Sequence, residues 1–207
     1  MFFNENAESL FFMIPGLIVI IITMLGSMLT CMLLAREYEH GNLESMFVTP
    51  MQSLEILIAK ALSNFTLGMI GIAITLWAVK YMFHMPIRGS VLLLAGGCAL
   101  YLLLALAIGL WISSFTKSQF FACQVTLIVT FLPSLMLSGF VYEIANLPVA
   151  VQYITALFPA RYLIDFLQTV FLIGNDWRLV LPDLLIIALF TVAIIWLAVR
   201  KAPKSLE

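Results

Sequence analysis

The stretch LFFMIPGLIVIIITMLGSMLTCMLL, residues 10–34, contains no charged side chain and decides how the rest of the chain is interpreted. A helix that crosses the hydrocarbon core of a bilayer needs about 20 apolar residues, and this stretch is longer than that. The whole chain has the same character, since 63% of its 207 residues are hydrophobic and only 10% are charged. A soluble domain has about 25% charged residues. The sequence therefore predicts an all-α integral membrane protein.

Short polar stretches divide the chain into apolar segments, which predict about five transmembrane helices. The segment 143–173 is also apolar, but two prolines, Arg161 and Asp165 interrupt it, so no window of about 20 residues is free of them. Prolines and charges are tolerated at membrane depth only where protein or water surrounds them. We therefore predict an extracytoplasmic helical hairpin there, re-entrant or lying on the surface, with helices over about 148–157 and 159–173. The predicted spans are approximately 10–34, 56–79, 91–112, 120–142 and 179–199, within a single transmembrane domain of residues 1–207.

The basic residues predict which side of the membrane each loop occupies. Five spans place 35–55, 113–119 and the tail from Arg200 on one side, which then holds six Lys and Arg residues, counting Lys60, against four on the other. Lys and Arg accumulate on the cytoplasmic side, so we predict this side to be cytoplasmic. The N-terminus is then extracytoplasmic, and MFFNENAES lacks the basic start of a signal peptide. We therefore expect the chain to lack a preceding span.

The most polar run in the first half of the chain is AREYEHGNLESMFVTP, residues 35–50. Leu43, Met46, Phe47 and Pro50 are spaced as on one face of a helix, which predicts a short amphipathic helix over 36–50 in the interface plane. Its polar face carries glutamates, which the negative inner leaflet repels. An acidic face favours a protein partner over lipid. A solvated connecting loop is the alternative interpretation.

The sequence lacks the motifs of several kinds of chemistry. It contains no GxxxxGK[ST] phosphate-binding loop and no HExxH zinc motif. No serine or cysteine has a histidine base on its own side and depth, and the net charge of −1 argues against a nucleic-acid partner. Cys31, Cys98 and Cys123 lie in apolar runs without CxxC spacing and are expected to be small buried hydrophobes. We predict no catalytic, cofactor-binding or metal-binding residue, and no enzyme activity in this chain.

The run REYEHGNLESMFVTP resembles the R-E-x-E-x-G-T-L-E-x-L-x-x-T-P element of ABC-2 type transporter permeases, with Asn42 in place of the threonine. FNENAESLFFMIPGLI is similar to the family's segment leading into its second span, and SLEILIAKAL to the stretch after the Thr-Pro. LSGFVYEIANLPVAVQYITALFPARYLIDFLQTVFL is similar to its late extracytoplasmic region. The resemblance covers essentially the whole chain, but nothing corresponds to the family's first span or its large extracytoplasmic domain.

The resemblance implies a permease subunit of an ABC exporter in a bacterial cytoplasmic (inner) membrane. It implies a separate P-loop ABC ATPase, which binds ATP and magnesium, and a homodimer or a heterodimer with a related permease. A non-transporting membrane scaffold or assembly factor that recruits a cytoplasmic partner is the alternative. In the permease interpretation, the helix 36–50 is the coupling element that enters a groove of the ATPase. The coupling residues so implied are Arg36, Glu37, Gly41, Leu43, Glu44, Met46, Phe47 and Pro50.

Polar and small residues inside the spans are further candidates. Polar side chains at membrane depth are functional candidates by default. We expect interhelical hydrogen bonds or contact with a substrate path for Asn64, Gln124 and Thr126. Small residues at every fourth position allow helices to approach closely, which predicts a packing stripe at Ala105, Gly109 and Ser113. Arg161 and Asp165 are i, i+4 on the predicted hairpin and are expected to pair.

Overall fold

A computed structural model describes residues 5–39, 53–83, 88–116, 118–136, 153 and 155–201. All regular secondary structure in these residues is helical, which confirms the predicted all-α class. Two of the helices contain a π-helical turn. The helices are α1 (Glu5–Glu39), α2 (Ser53–Tyr81), α3 (Val91–Ser113), α4 (Gln119–Thr126, the π turn Leu127–Phe131, then Leu132–Met136), α5 (Pro159–Gln168, then the π turn Thr169–Ile173) and α6 (Trp177–Lys201).

Four of the described helices are long and apolar enough to cross a membrane, where the sequence predicts about five spans. These stretches are Met13–Leu33, Ala59–Tyr81, Val91–Ser113 and Trp177–Ala198. The other predicted span, 120–142, falls on α4. The apolar part of α4, Gln119–Leu135, is shorter than the other four, and residues 137–142 lie outside the described part of the chain.

The helices pack side by side, and hydrogen bonds at the helix ends and the adjoining loops define the two ends of the bundle. At one end, the backbone N–H of Gly89 donates to the Val170 carbonyl at 3.0 Å, and that of Ser90 donates to Asn175 Oδ1 at 2.8 Å. We call this the upper end. At the other, lower end, the N–H of Gln119 donates to Glu39 Oε2 at 3.4 Å. The start of α4 therefore lies beside the end of α1, while the starts of α3 and α6 lie together at the upper end.

The central pair of helices is α1 and α3, and their apolar residues form a core shared with α2, α5 and α6. The α5 helix contributes a buried face to this core. Its Phe166 ring lies against Gly97 of α3 so closely that a Cβ at position 97 would overlap the ring. The other fully buried side chains of this face are Leu163, Leu167, Val170 and Phe171.

The position of α5 shows that it enters the bundle deeply. It ends at the upper end, where Gly174 takes a φ of 109° and donates its N–H to the Thr169 carbonyl. With about 1.5 Å of rise per residue, Pro159 lies about 20 Å below that end. The ring of Tyr162 lies 6.5 Å from that of Phe190, which is itself about 20 Å along α6 from its upper start. The two measures agree, and they place the start of α5 deep in the bundle, while the re-entrant hairpin over 143–173 stays a prediction. The other predicted hairpin helix, about 148–157, falls mostly outside the described residues.

The π turn of α4 comes immediately before a proline. Pro133 has no N–H to donate. In an ordinary α-helix its ring would also clash with the carbonyl group four residues earlier. Along the preceding turn, the N–H of Leu132 bonds to the Leu127 carbonyl, five residues back. Such single π turns are typically found at functional positions within helices. The α4 helix thus changes its winding at the middle of its length.

Candidate functional site

The predicted coupling element is described only in its first residues. Arg36 to Glu39 continue α1 as its last turn, with the side chains of Arg36 and Glu39 exposed. The segment that follows connects the lower end of α1 to the start of α2. The backbone of Glu37 belongs to this last turn. The other predicted coupling residues lie outside the described residues: Gly41, Leu43, Glu44, Met46, Phe47 and Pro50.

Two of the three residues of the predicted packing stripe on α3, Ala105 and Gly109, lie against α1. A Cβ added to Gly109 would lie 2.5 Å from the Ser27 carbonyl oxygen, and one added to Gly26 would lie 2.5 Å from Ala105 Cβ. The two backbones therefore approach too closely for larger side chains at these positions. Ser113, the third member, is also buried, and within the described residues its Oγ has no hydrogen-bond partner.

Three hydroxyl side chains of α1 connect this helix to its neighbours. Thr23 Oγ1 lies 2.9 Å from the Tyr101 hydroxyl on α3. Ser27 Oγ lies 3.2 Å from Thr130 Oγ1, which is in the π turn of α4. Thr30 Oγ1 accepts from the side-chain amide of Asn64 on α2 at 3.2 Å. We call Thr23, Ser27 and Thr30 the hydroxyl seam, since it bonds α1 to three other helices.

The donors in the seam follow from the number of protons available. Thr23 Oγ1 donates its one proton to the Val19 carbonyl at 2.7 Å, so the Tyr101 hydroxyl donates to Thr23. Ser27 Oγ and Thr130 Oγ1 each also have a backbone carbonyl acceptor, at 2.6 Å and 2.7 Å. One of these two hydroxyls must release its carbonyl when it donates to the other. The Ser27–Thr130 bond is therefore the most easily exchanged bond of the seam.

The seam was missed as a site in the sequence, although a signal for it was present. The residues 23, 27 and 30 follow the i, i+4, i+7 spacing of one helix face within an otherwise apolar span. Hydroxyl residues on one face of a transmembrane helix typically form interhelical hydrogen bonds.

The three residues for which interhelical bonds or a substrate path were considered, Asn64, Gln124 and Thr126, do not share one surface. Asn64 is buried and bonds to the seam, which is the interhelical role considered for it. Thr126 is fully buried and donates to the Ala122 carbonyl at 2.8 Å. Gln124, two residues earlier on α4, is exposed. Their arrangement favours helix packing for Asn64 and Thr126.

The predicted pairing of Arg161 with Asp165 is confirmed. Arg161 Nε lies 3.9 Å from Asp165 Oδ2, and both side chains are partly exposed. Arg161 also donates from Nη1 to Thr155 Oγ1 at 3.0 Å. Among the described residues, no three His, Cys, Asp or Glu side chains lie close enough together to hold a metal ion.

This bundle, with four described helices long and apolar enough to cross a membrane and with hydrogen bonds between its helices, defines an all-α membrane protein. The family model described as "ABC-2 family transporter protein" matches residues 1–200. The chain belongs to this family of transporter proteins, which confirms the resemblance seen in its charged run.

Curated relatives extend the comparison. The chain is 37% identical over 205 residues to the "Probable multidrug ABC transporter permease YbhS" of Escherichia coli, covering 99% of this chain and 54% of the relative. It is 32% identical over 202 residues to the "Inner membrane transport permease YhhJ" of the same species, covering 93% of this chain and 53% of the relative. It is 23% identical over 209 residues to "ABC transporter G family member 20" of Dictyostelium discoideum, covering 99% of this chain and 28% of the relative. The chain therefore spans about half the length of the curated bacterial relatives it matches.

Proposed function

We propose that the chain acts as the transmembrane permease of an ABC exporter in a bacterial cytoplasmic membrane, driven by a separate P-loop ATPase. The observation that supports this best is the family match over residues 1–200. In the proposal the ATPase binds ATP and magnesium, while the chain binds no cofactor itself. A second permease copy, identical or related, completes the transport path across the bilayer.

The lower end of the bundle is cytoplasmic in this proposal, and the upper end is extracytoplasmic. The positions of the tryptophans support a bilayer between the two ends. Trp77 and Trp177 lie at the upper ends of α2 and α6, while Trp111 and Trp196 lie at the lower ends of α3 and α6. Tryptophan accumulates at both membrane interfaces. The Arg200 guanidinium lies 3.6 Å from the centre of the Trp196 ring, as expected for a cation beside an aromatic anchor.

The mechanism begins at the coupling element, 36–50, between the lower ends of α1 and α2. Closure of the ATPase dimer pushes on this element, and α1 moves with it because residues 36–39 continue α1 without a break. The hydroxyl seam and the close contact at Gly109 join α1 to α2, α3 and α4. A push on α1 is therefore passed to its neighbours as a rigid-body movement, which is one way in which packed helices switch between two arrangements.

The alternative, a scaffold that recruits the ATPase without transport, predicts a different effect on ATP hydrolysis. We expect the partner to be a P-loop ABC ATPase encoded in a neighbouring reading frame. Its ATPase rate is measured alone and with the chain in proteoliposomes, and an ATPase with its P-loop lysine substituted serves as the blank. A coupled permease is expected to change the rate, because each ATPase cycle must then also move the packed helices between two arrangements. Stable binding with an unchanged rate would favour the scaffold.

A further inference from the structure

The deep end of α5 contains a sharp change of backbone direction. Ala156 and Leu157 form a turn after the helical residue Thr155, closed by a hydrogen bond of 3.0 Å from the Phe158 N–H to the Thr155 carbonyl. Phe158 is extended, with φ −97° and ψ 121°, and Pro159 starts the helix. Proline suits the first turn of a helix but cannot supply an N–H to hold the preceding chain. Backbone bonds hold each side of this bend, from the Phe158 N–H to Thr155 and from the Arg161 N–H to the Phe158 carbonyl, and two side chains connect the sides.

Two adjacent side chains of α5 reach back across this bend. Arg161 Nη1 donates to Thr155 Oγ1 at 3.0 Å, and the Tyr162 hydroxyl donates to the Ala156 carbonyl at 2.9 Å. Both bonds join residues six positions apart, on opposite arms of the bend. Thr155 is fully buried, so its hydroxyl has little access to water as a substitute partner.

The surroundings of these two side chains suit a position within the membrane. The Tyr162 ring lies against Phe190 of α6, with a centroid distance of 6.5 Å. The Arg161 charge is balanced by Asp165, whose Oδ2 lies 3.9 Å away. An unpaired charge at membrane depth is costly, and a local ion pair lowers this cost. Arg161 thus holds the bend without adding net charge to it.

We propose that Arg161 and Tyr162 are positioning residues that clamp the bend before α5 and hold the start of α5 at its depth against α6. The clamp consists of the two bonds to Thr155 and Ala156. The proposed clamp depends on the packing of the bundle and not on coupling to an ATPase. Its failure and the failure of the proposed function are therefore distinguishable.

The experiment removes each bond with an isosteric substitution and measures the opening of the bend. Thr155→Val removes the bond from Arg161 Nη1 to Thr155 Oγ1 and keeps Asp165 as the ion-pair partner of Arg161, while Tyr162→Phe removes only the hydroxyl. The reporter is Ala160→Cys, since Ala160 is 3% exposed, in a background with Cys31→Ala, Cys98→Ala and Cys123→Ala. Its reaction with a water-soluble maleimide is timed in unsealed membrane fragments, so that the rate does not depend on sidedness. Leu163→Cys, also at a buried position, is a second reporter.

We expect each single variant to label about fivefold faster, because one hydrogen bond stabilises the closed form by about that factor. The double variant is expected to label at least as fast as the faster single variant. Tyr153→Phe and Thr169→Val are the matched controls: Tyr153 is exposed, and the Thr169 hydroxyl bonds within α5, to the Asp165 carbonyl. Both controls should keep the original rate. An unchanged rate in the double variant, or an equal increase in the controls, would overturn the clamp.

Discussion

Gly109 shows how closely a single position is determined in this bundle. A Cβ at this position would lie 2.5 Å from a backbone oxygen of α1, and a backbone atom cannot move aside as the end of a side chain can. Gly96, on the same helix, has no atom within 4 Å of where its Cβ would be. Glycine therefore permits close approach of α1 at position 109, whereas at position 96 it faces open space.

Substituting these two glycines should have opposite effects. Gly109→Ala must separate α1 from α3 and is expected to destabilise the bundle by about 1–3 kcal/mol, the usual cost of overpacking. Gly96→Ala should leave stability unchanged or raise it by up to about 1 kcal/mol, because alanine favours helix. The measurement is the Tm of the purified protein in detergent. Equal Tm values for both variants would mean that the α1–α3 contact is looser than the structure shows.

At the residue scale, Phe47 is the proposed anchor of the coupling element. Truncation of a buried aromatic anchor commonly costs about 2 kcal/mol or more, which is about a 30-fold loss of affinity. We expect Phe47→Ala to weaken co-purification of the ATPase while the amount of protein in the membrane stays the same. Charge reversal at Glu44 should have a smaller effect that depends on salt, as at the rim of an interface. Full retention of the ATPase by Phe47→Ala would remove residues 36–50 from the coupling role.

At the scale of elements, the hydroxyl seam distinguishes α1 from an ordinary apolar span. Its bonds to α2, α3 and α4 lie between buried side chains, so water does not compete for them. Interhelical bonds of this type contribute about 0.6 kcal/mol each and at most about 1.7 kcal/mol. The seam therefore specifies which faces of the helices meet more than it stabilises the bundle.

Tyr101→Phe tests the seam at its bond to α3. The substitution removes the donor to Thr23 and keeps the ring, and it leaves the Thr23 hydroxyl its own bond to the Val19 carbonyl. We expect a small loss, about 0.5–1 kcal/mol, in the free energy of unfolding, measured by denaturant titration in detergent. The matched control is Tyr153→Phe, on an exposed tyrosine. A Thr23→Val, Tyr101→Phe double variant should lose less than the sum of the two single losses, since both act on one bond.

The depth of α5 is the element-scale feature with the clearest effect on topology. Because residues 170–175 bond to 88–90, the end of α5 and the start of α3 lie at one end of the bundle. If residue 143 starts at the upper end, as the predicted span 120–142 requires, a complete crossing of 143–173 would place them at opposite ends.

For the whole molecule, this predicts the sidedness of four positions. In a cysteine-free background, Ala145→Cys, Asn175→Cys and Pro86→Cys should react with a membrane-impermeant maleimide added outside intact cells. His40→Cys should react only after the cells are opened, because residues 36–52 are predicted to be cytoplasmic. Labelling of position 40 but not of position 86 from outside would reverse the orientation. Labelling of 145 and 175 from opposite sides would make 143–173 a sixth span.

Much of the class and the family could be predicted from residues alone, for a physical reason. Hydropathy is a sum over neighbouring residues, so the stretch 10–34 indicates a membrane helix whatever lies beside it. The charged run 36–50 is likewise local, and its resemblance to the family agrees with the match over residues 1–200. The Arg161–Asp165 pair follows from i, i+4 spacing within one helix.

Only the tertiary structure decided which helices are in contact and how far α5 extends into the bundle. Thr23 and Tyr101 are 78 positions apart, and their contact depends on the rotation of two helices about their axes, which no local pattern contains. The same holds for Ala105 and Gly109, since a stripe of small residues indicates close packing but not the partner, here α1. The length of α5 becomes a depth of about 20 Å only because its other end is held at the upper end of the bundle, by the bond from Gly89 to Val170. Sequence by itself therefore determined which segments belong to the membrane, and tertiary contacts determined how they are arranged within it.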